Sequence, residues 1–150
     1  MTVYFLIALL VILFDFASKA LVLNQITNGM TIEVTPFFNL VLAMNKGISF
    51  SMFSEAGPWI LTIVALVICG FIIYFMFTEK DVFTRSCLAL VLGGALGNVI
   101  DRIRFQAVVD FLDFHAFGYH WPAFNVADSC ICIGVVLLLF RMILKKEKHK

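Results

Sequence analysis

Apolar positions run almost unbroken through four stretches of the chain, roughly 3–23, 57–78, 86–103 and 124–144, and polar positions gather between them. Each stretch comes close to the roughly 20 apolar residues that a helix needs to cross a bilayer. The first is too long and too free of basic flanks for a cleaved signal peptide, and no AxA follows it, so it is expected to be retained as a helix. Residues 24–56 make a long connection. Their middle, "MTIEVTPFFNLVLAMNKGISFSMF", is rich in β-formers (Thr31, Ile32, Val34, Thr35, Phe37, Phe38, Leu40, Val41) and predicts one or more short strands at the membrane surface. Residues 79–85 read as a short connection and 104–123 as a second outer loop. The expected fold is an all-α membrane protein, with four transmembrane helices and a small β-rich cradle on the outer face, in one domain over residues 1–150.

Composition agrees with this pattern. The chain is 62% hydrophobic and 14% charged, with 17 Phe, and its mean hydropathy is +1.01. Soluble domains are about half apolar and about a quarter charged. The net charge of +1 carries no nucleic-acid signal. The basic residues are unevenly placed, however, with Arg141, Lys145, Lys146, Lys148 and Lys150 in the tail. The positive-inside rule then puts the C-terminus in the cytoplasm, and four spans return the N-terminus to the same side. Lys80 and Arg85 mark 79–85 as an inside connection, while Trp59 and Trp121 fall at outer interfaces. Cys69, Cys87, Cys130 and Cys132 lie in or beside apolar runs and read as packing thiols. Cys130-x-Cys132 stands alone, without the spacing of a zinc site.

Polar groups inside such spans are costly and mark function by default. In "DFASK", Asp15 and Lys19 are four apart, acid first, and share a helix face as an ion pair; snorkelling of Lys19 to the outer interface is the alternative. In "NKGISF", Asn45 can donate and accept, and Gly47 permits unusual backbone; alone the motif reads as a turn. In "GGALGNVIDR", Gly93, Gly94 and Gly97 allow close approach of another helix. Asn98 shares a face with Asp101 and with Arg102, and helix packing with an interfacial ion pair is the plain reading there. "VVDFLDF" carries Asp110 and Asp113 among apolar neighbours in the second outer loop. "FNVAD" places Asn125 and Asp128 on the first turn of the fourth helix. The helix dipole favours an acid at that point, but does not account for a carboxylate about one turn below the interface with an Asn beside it.

These motifs converge at the outer ends of the third and fourth helices, where Asp110 and Asp128 can meet. Two carboxylates in one low-dielectric site cannot easily both ionise and share a proton, as in an aspartic protease. Ser49, Ser51 and Ser129 have no evident His base, and His115 and His120 beside Asp113 make only a weak metal site. No cofactor or metal is expected. A small transporter or channel subunit with an acidic proton relay is the competing reading, but a relay wants carboxylates spread through the bilayer, whereas here all but Asp15 gather at one end. A non-catalytic assembly subunit, a third reading, would tolerate carboxamides at both aspartates.

The five motifs, in this order and spacing across residues 15–129, together resemble the signature blocks of the bacterial lipoprotein signal peptidase family (signal peptidase II). The resemblance implies an aspartic endopeptidase that cuts a prolipoprotein signal peptide just before a diacylglyceryl-modified cysteine and is blocked by globomycin. It implies Asp110 and Asp128 as the catalytic pair. Asn45, Gly47, Asn98, Arg102 and Asn125 would line the site or hold substrate, and Asp15, Asp101 and Lys19 would support it. The outer loops would clasp the substrate. The enzyme is expected to act as a monomer in the bacterial inner membrane, with lipidated prolipoprotein signal peptides and membrane lipids as its partners and with its site near the outer face.

Overall fold

The computed structural model describes residues 1–27, 30–47 and 57–147. The serines Ser49 and Ser51, the end of the NKGISF motif and the tail lysines Lys148 and Lys150 lie outside the described residues. The elements follow the order α1 (Thr2–Gln25), β1 (Ile32–Thr35), β2 (Phe38–Asn45), α2 (Pro58–Thr78), α3 (Val82–Phe105), β3 (Val108–Ala116), β4 (Tyr119–His120) and α4 (Val126–Glu147). All four helices are long and apolar enough to span a bilayer. Their outward faces carry large apolar side chains such as Phe14, Phe71 and Met142, which in a membrane meet lipid rather than water.

Helix α3 is the centre of the bundle and packs against α1, α2 and α4. Its glycines explain why. A Cβ at Gly93 would stand 2.7 Å from the Ala8 carbonyl oxygen of α1, and one at Gly97 would stand 2.7 Å from Oδ2 of Asp15. A Cβ at Gly94 would overlap the carbonyl of Ala127 on α4. Small residues thus let two helices close on α3 from different sides, where packing rather than water exclusion holds helices together. Tyr4, Ala8, Cys69, Ile72, Met76, Ala89 and Leu92 form the apolar core joining α1, α2 and α3. At its start α3 is capped by Asp81, whose carboxylate accepts the Thr84 N–H at 3.0 Å and pairs with Arg141 of α4 at 2.8 Å. That cap explains why α3 begins at Val82, a turn earlier than the apolar run suggests.

The strands form one antiparallel sheet in the order β1-β2-β3-β4. Strand β2 is in register with β3 through Phe38↔Phe114, Asn39↔Asp113, Ala43↔Asp110 and Asn45↔Val108, with an irregularity between Leu40 and Ala43. Phe111 packs on Val22 and Ile26 at the end of α1, seating the sheet on the bundle. The expected strands of the first outer connection are present as β1 and β2. The expectation of a loop over 104–123 is corrected, because that segment holds β3 and β4. Val108, Val109, Asp110 and Phe111 are all buried, so the strand is covered on both faces and lacks the polar–apolar alternation that reveals a half-exposed strand. The turn from α3 into β3 runs through Gln106 in the left-handed region, φ 55°. Of the cysteines, Cys69 and Cys87 are buried, Cys130 is half-buried and Cys132 is exposed on the apolar surface; all four are free thiols.

Candidate active site

The site is assembled where β3 meets the start of α4. Phe124 pairs with Leu112 of β3, its N–H and carbonyl both engaged with that strand, so the residue after it enters beside Asp110. That residue is Asn125, fully buried. Its Oδ1 accepts the Asp128 N–H at 2.8 Å, an N-cap contact that starts α4. Its Nδ2 turns the other way and donates to Asp110 Oδ1 at 2.8 Å, within reach also of the Val109 carbonyl and Asn98 Oδ1, each at 3.2 Å.

Asp110 is only 2% exposed. Its second oxygen accepts from Asn45 Nδ2 at 2.9 Å. Burial pushes its carboxyl up to about 7, and the Asp128 charge acts in the same direction, while the Asn45 and Asn125 amides pull it partly back. Asp128 is half-buried, and its Oδ1 accepts from Asn98 Nδ2 at 2.7 Å. Its Oδ2 accepts no hydrogen bond among the described residues.

Around this pair lie the other described residues singled out in the sequence. Arg102, buried, donates through Nη2 to the Gly47 carbonyl at 3.1 Å. The Gly47 N–H donates to Asn45 Oδ1 at 3.0 Å. Arg102 and Gly47 therefore fix the Asn45 amide that reaches Asp110. Deeper in the bundle, Lys19 Nζ lies 2.7 Å from Asp15 Oδ2, 2.7 Å from Asp101 Oδ2 and 3.1 Å from Asn98 Oδ1. The expected Asp15–Lys19 ion pair is present, and Lys19, 2% exposed, does not take the alternative course of snorkelling to the interface. Asp101 pairs with Lys19 across the α1–α3 contact rather than with the adjacent Arg102. Close packing at Gly97 sets Asp15 of α1 against α3, which brings Lys19 within reach of Asp101 as well.

Asp113 is held apart from the pair. Three residues on from Asp110 along a strand, it lies on the opposite face of β3. It accepts from Asn39 Nδ2 at 3.0 Å and bonds His120 Nδ1 at 2.8 Å, with the His115 and His120 rings stacked 4.8 Å apart. Burial alone would raise its carboxyl, but the His120 and Asn39 hydrogen bonds hold it below the usual carboxylate value. Ser129 Oγ donates to the Asn125 carbonyl at 2.9 Å, a helix-internal role. Two further groups carry no signal in the sequence, the backbone N–H of Val109 and that of Ala127, which donate to Asp101 and Asp15 at 3.1 and 2.9 Å. Backbone donors carry no residue-type signal, so only the fold reveals them.

A four-helix membrane bundle that gathers two aspartates, one of them protonating near neutrality, among carboxamides at one end defines a membrane-embedded aspartic peptidase. Comparison with known proteins is more specific. The signal peptidase (SPase) II family matches residues 7–144. The lipoprotein signal peptidase of Cupriavidus pinatubonensis is 44% identical over 147 residues, covering 95% of this chain and 83% of that protein. That of Ralstonia nicotianae is 49% identical over 133 residues, covering 85% and 76%. A bacterial membrane enzyme solved by the in meso method at 2.3 Å superposes with a TM-score of 0.91 at 32% identity, covering 100% of this chain and 93% of that one. The chain belongs to the signal peptidase II family. It is an aspartic peptidase of the bacterial inner membrane that removes signal peptides from prolipoproteins.

Proposed function

We propose that Asp110 and Asp128 are the catalytic pair, sharing one proton. The ionised carboxylate takes a proton from water as the water oxygen attacks the scissile carbonyl carbon. The protonated partner donates to the carbonyl oxygen. Collapse of the tetrahedral intermediate breaks the C–N bond, the nitrogen is protonated by the pair, and the products are the signal peptide acid and the amine of the lipidated cysteine. The observation that carries this reading is the Asn125 side chain, which bonds Asp110 through one atom and the Asp128 backbone through the other.

Asn45, Gly47, Asn98, Arg102 and Asn125 line the site and orient the pair and the substrate. Both termini lie in the cytoplasm, and the sheet and aspartates lie at the outer face, where a diacylglyceryl-anchored substrate presents its scissile bond. Lipid packs on the apolar outer faces of the helices. One chain suffices, because every group just named comes from it. A proton relay is disfavoured because Asp110 and Asp128 sit together at one end of the bundle. The test is cleavage of a lipidated precursor peptide by purified, stably folded Asp110→Asn and Asp128→Asn. Each is expected to lose turnover by at least about 10²-fold, the low end for general acid–base groups, and the double variant to lose little more. Near-normal turnover in either single variant would remove the mechanism.

A further inference from the structure

The buried ion cluster reaches both aspartates through the backbone N–H of the residue that precedes each. Asp15 Oδ1 accepts the Ala127 N–H, next to Asp128, at 2.9 Å. Asp101 Oδ2 accepts the Val109 N–H, next to Asp110, at 3.1 Å. Lys19 Nζ lies 2.7 Å from each of these two carboxylates. It also donates to Asn98 Oδ1 at 3.1 Å, and Asn98 in turn donates to Asp128. Three segments distant in sequence, α1, the end of α3 with β3, and the start of α4, are thus tied through one ammonium.

We propose that Lys19 is a positioning residue that sets the placement of Asp110 relative to Asp128, with Asp15 and Asp101 as its two arms. This rests on the reading of Asp110 and Asp128 as the catalytic pair. The geometry has the features of a clamp rather than of a stray ion pair. Lys19, Asp15 and Asp101 are 2%, 1% and 3% exposed, so bulk water competes poorly for these bonds. Besides Lys19, each carboxylate accepts from one backbone N–H, and each of those N–H groups belongs to the residue immediately before an aspartate of the pair. Removing the ammonium leaves two buried carboxylates facing each other, and they must separate or take up a proton. Either response moves the strand and the helix turn that carry the pair. Small displacements matter here, since a misplacement of about 1 Å can cost about 10²-fold in rate.

The clamp also has an electrostatic signature. The charged groups acting on Asp110 are Asp128 from α4, Arg102 from α3 and Lys19 from α1. Of the two cations, Lys19 lowers the pH at which Asp110 gives up its proton. Its loss, and the carboxylates it leaves uncovered, both raise that pH.

The experiment uses the purified full chain, a lipidated precursor peptide, and kcat and KM measured per folded molecule across the neutral range. Lys19→Met is expected to lower kcat by about 10²-fold with KM unchanged, and to move the alkaline limb of the kcat profile up by about one pH unit. Lys19→Arg keeps the charge while its wider planar head spreads the arms. It is expected to lower kcat with KM held, but to leave the limb in place. A purely structural role would reduce the folded fraction only. Wild-type kcat and an unmoved limb in folded Lys19→Met would overturn the proposal. If that variant does not accumulate, wild-type kcat in Lys19→Arg overturns it instead. Active Asp110→Asn or Asp128→Asn enzyme, by contrast, would strike the underlying assignment of the pair.

Discussion

Asn125 donates to Asp110 Oδ1 at 2.8 Å while its own Oδ1 caps α4 at the Asp128 N–H, also at 2.8 Å. The two ends of one carboxamide therefore have separable jobs. Asn125→Ala removes both and is expected to cost about 1 kcal/mol for the lost cap alone, besides most activity. Asn125→Asp keeps a capping acceptor but turns the donor facing Asp110 into an oxygen. The expected result is a helix start that survives and a turnover that collapses, more steeply at alkaline pH where a third carboxylate ionises. Thermal unfolding and cleavage of a lipidated precursor, measured on both variants, separate the two jobs. Full activity in Asn125→Asp would show that the amide contact with Asp110 is dispensable.

Gly97 tests how far the site depends on helix packing. An added Cβ would stand 2.7 Å from Asp15 Oδ2 and 3.3 Å from its Cγ, and both belong to a side chain fixed by Lys19 and Ala127. Because that carboxylate cannot swing away without leaving buried partners unpaired, Gly97→Ala is expected to destabilise by about 1–3 kcal/mol and to reduce activity. Gly70, with nothing within 4 Å of its added Cβ, is the matched control on a helix. Gly70→Ala should leave both quantities unchanged or raise stability slightly. Equal behaviour of the two variants in thermal unfolding would contradict the packing argument.

The helices were legible because lipid imposes a length and an apolarity that few other environments require. The site was legible because polar residues in such runs have so few reasons to be there: Asp15, Lys19, Asn98, Asp101, Arg102, Asn125 and Asp128 all stood out, and the fold brings all of them into one connected network with Asp110. Strand β3 was not legible. Its buried run Val108–Phe111 has no alternation, and its pairing with β2 joins residues about 70 apart in sequence, as in Asn39↔Asp113. The partner of Asp101 was also hidden. Its neighbour in sequence is a cation, but its partner in space, Lys19, is placed by the crossing of α1 on α3 at Gly93 and Gly97.

Asp113 provides a contrast on the same strand. Its carboxyl is held below the usual value by His120 and Asn39 against the opposing effect of burial. A depressed folded-state value contributes stability above the unfolded value, and that contribution is lost as pH falls through the folded one. Since the His120 side chain is 55% exposed, solvent screens the pair and the contribution is small, about 1 kcal/mol or less. Asp113→Asn is therefore expected to lower stability slightly at neutral pH, to narrow that difference under acid conditions, and to leave turnover within a few-fold of wild type. Loss of turnover comparable to that of Asp110→Asn would place Asp113 in the catalytic chemistry.

Asp110 has the opposite sign. Its folded-state value rises from 3.8 to about 7, chiefly through burial. A raised value contributes stability that is fully present below the unfolded value and is lost as pH rises through the folded one. Between about pH 4 and pH 7 the wild-type enzyme should therefore lose stability relative to Asp110→Asn, by an amount on the order of 4 kcal/mol for a shift of this size. Turnover should follow the same titration if the proposed pair works with one shared proton. It is expected to fall as pH rises through about 7, in the range where Asp110 ionises. The two measurements are independent: unfolding of wild type and variant across that window, and the kcat profile of the wild type alone. The carboxamide, which cannot ionise, should be the more stable protein on the alkaline side while cleaving little at any pH. A stability difference that does not change between acid and alkaline conditions would show that Asp110 titrates at the same value folded and unfolded, and the shared proton would have to be placed elsewhere.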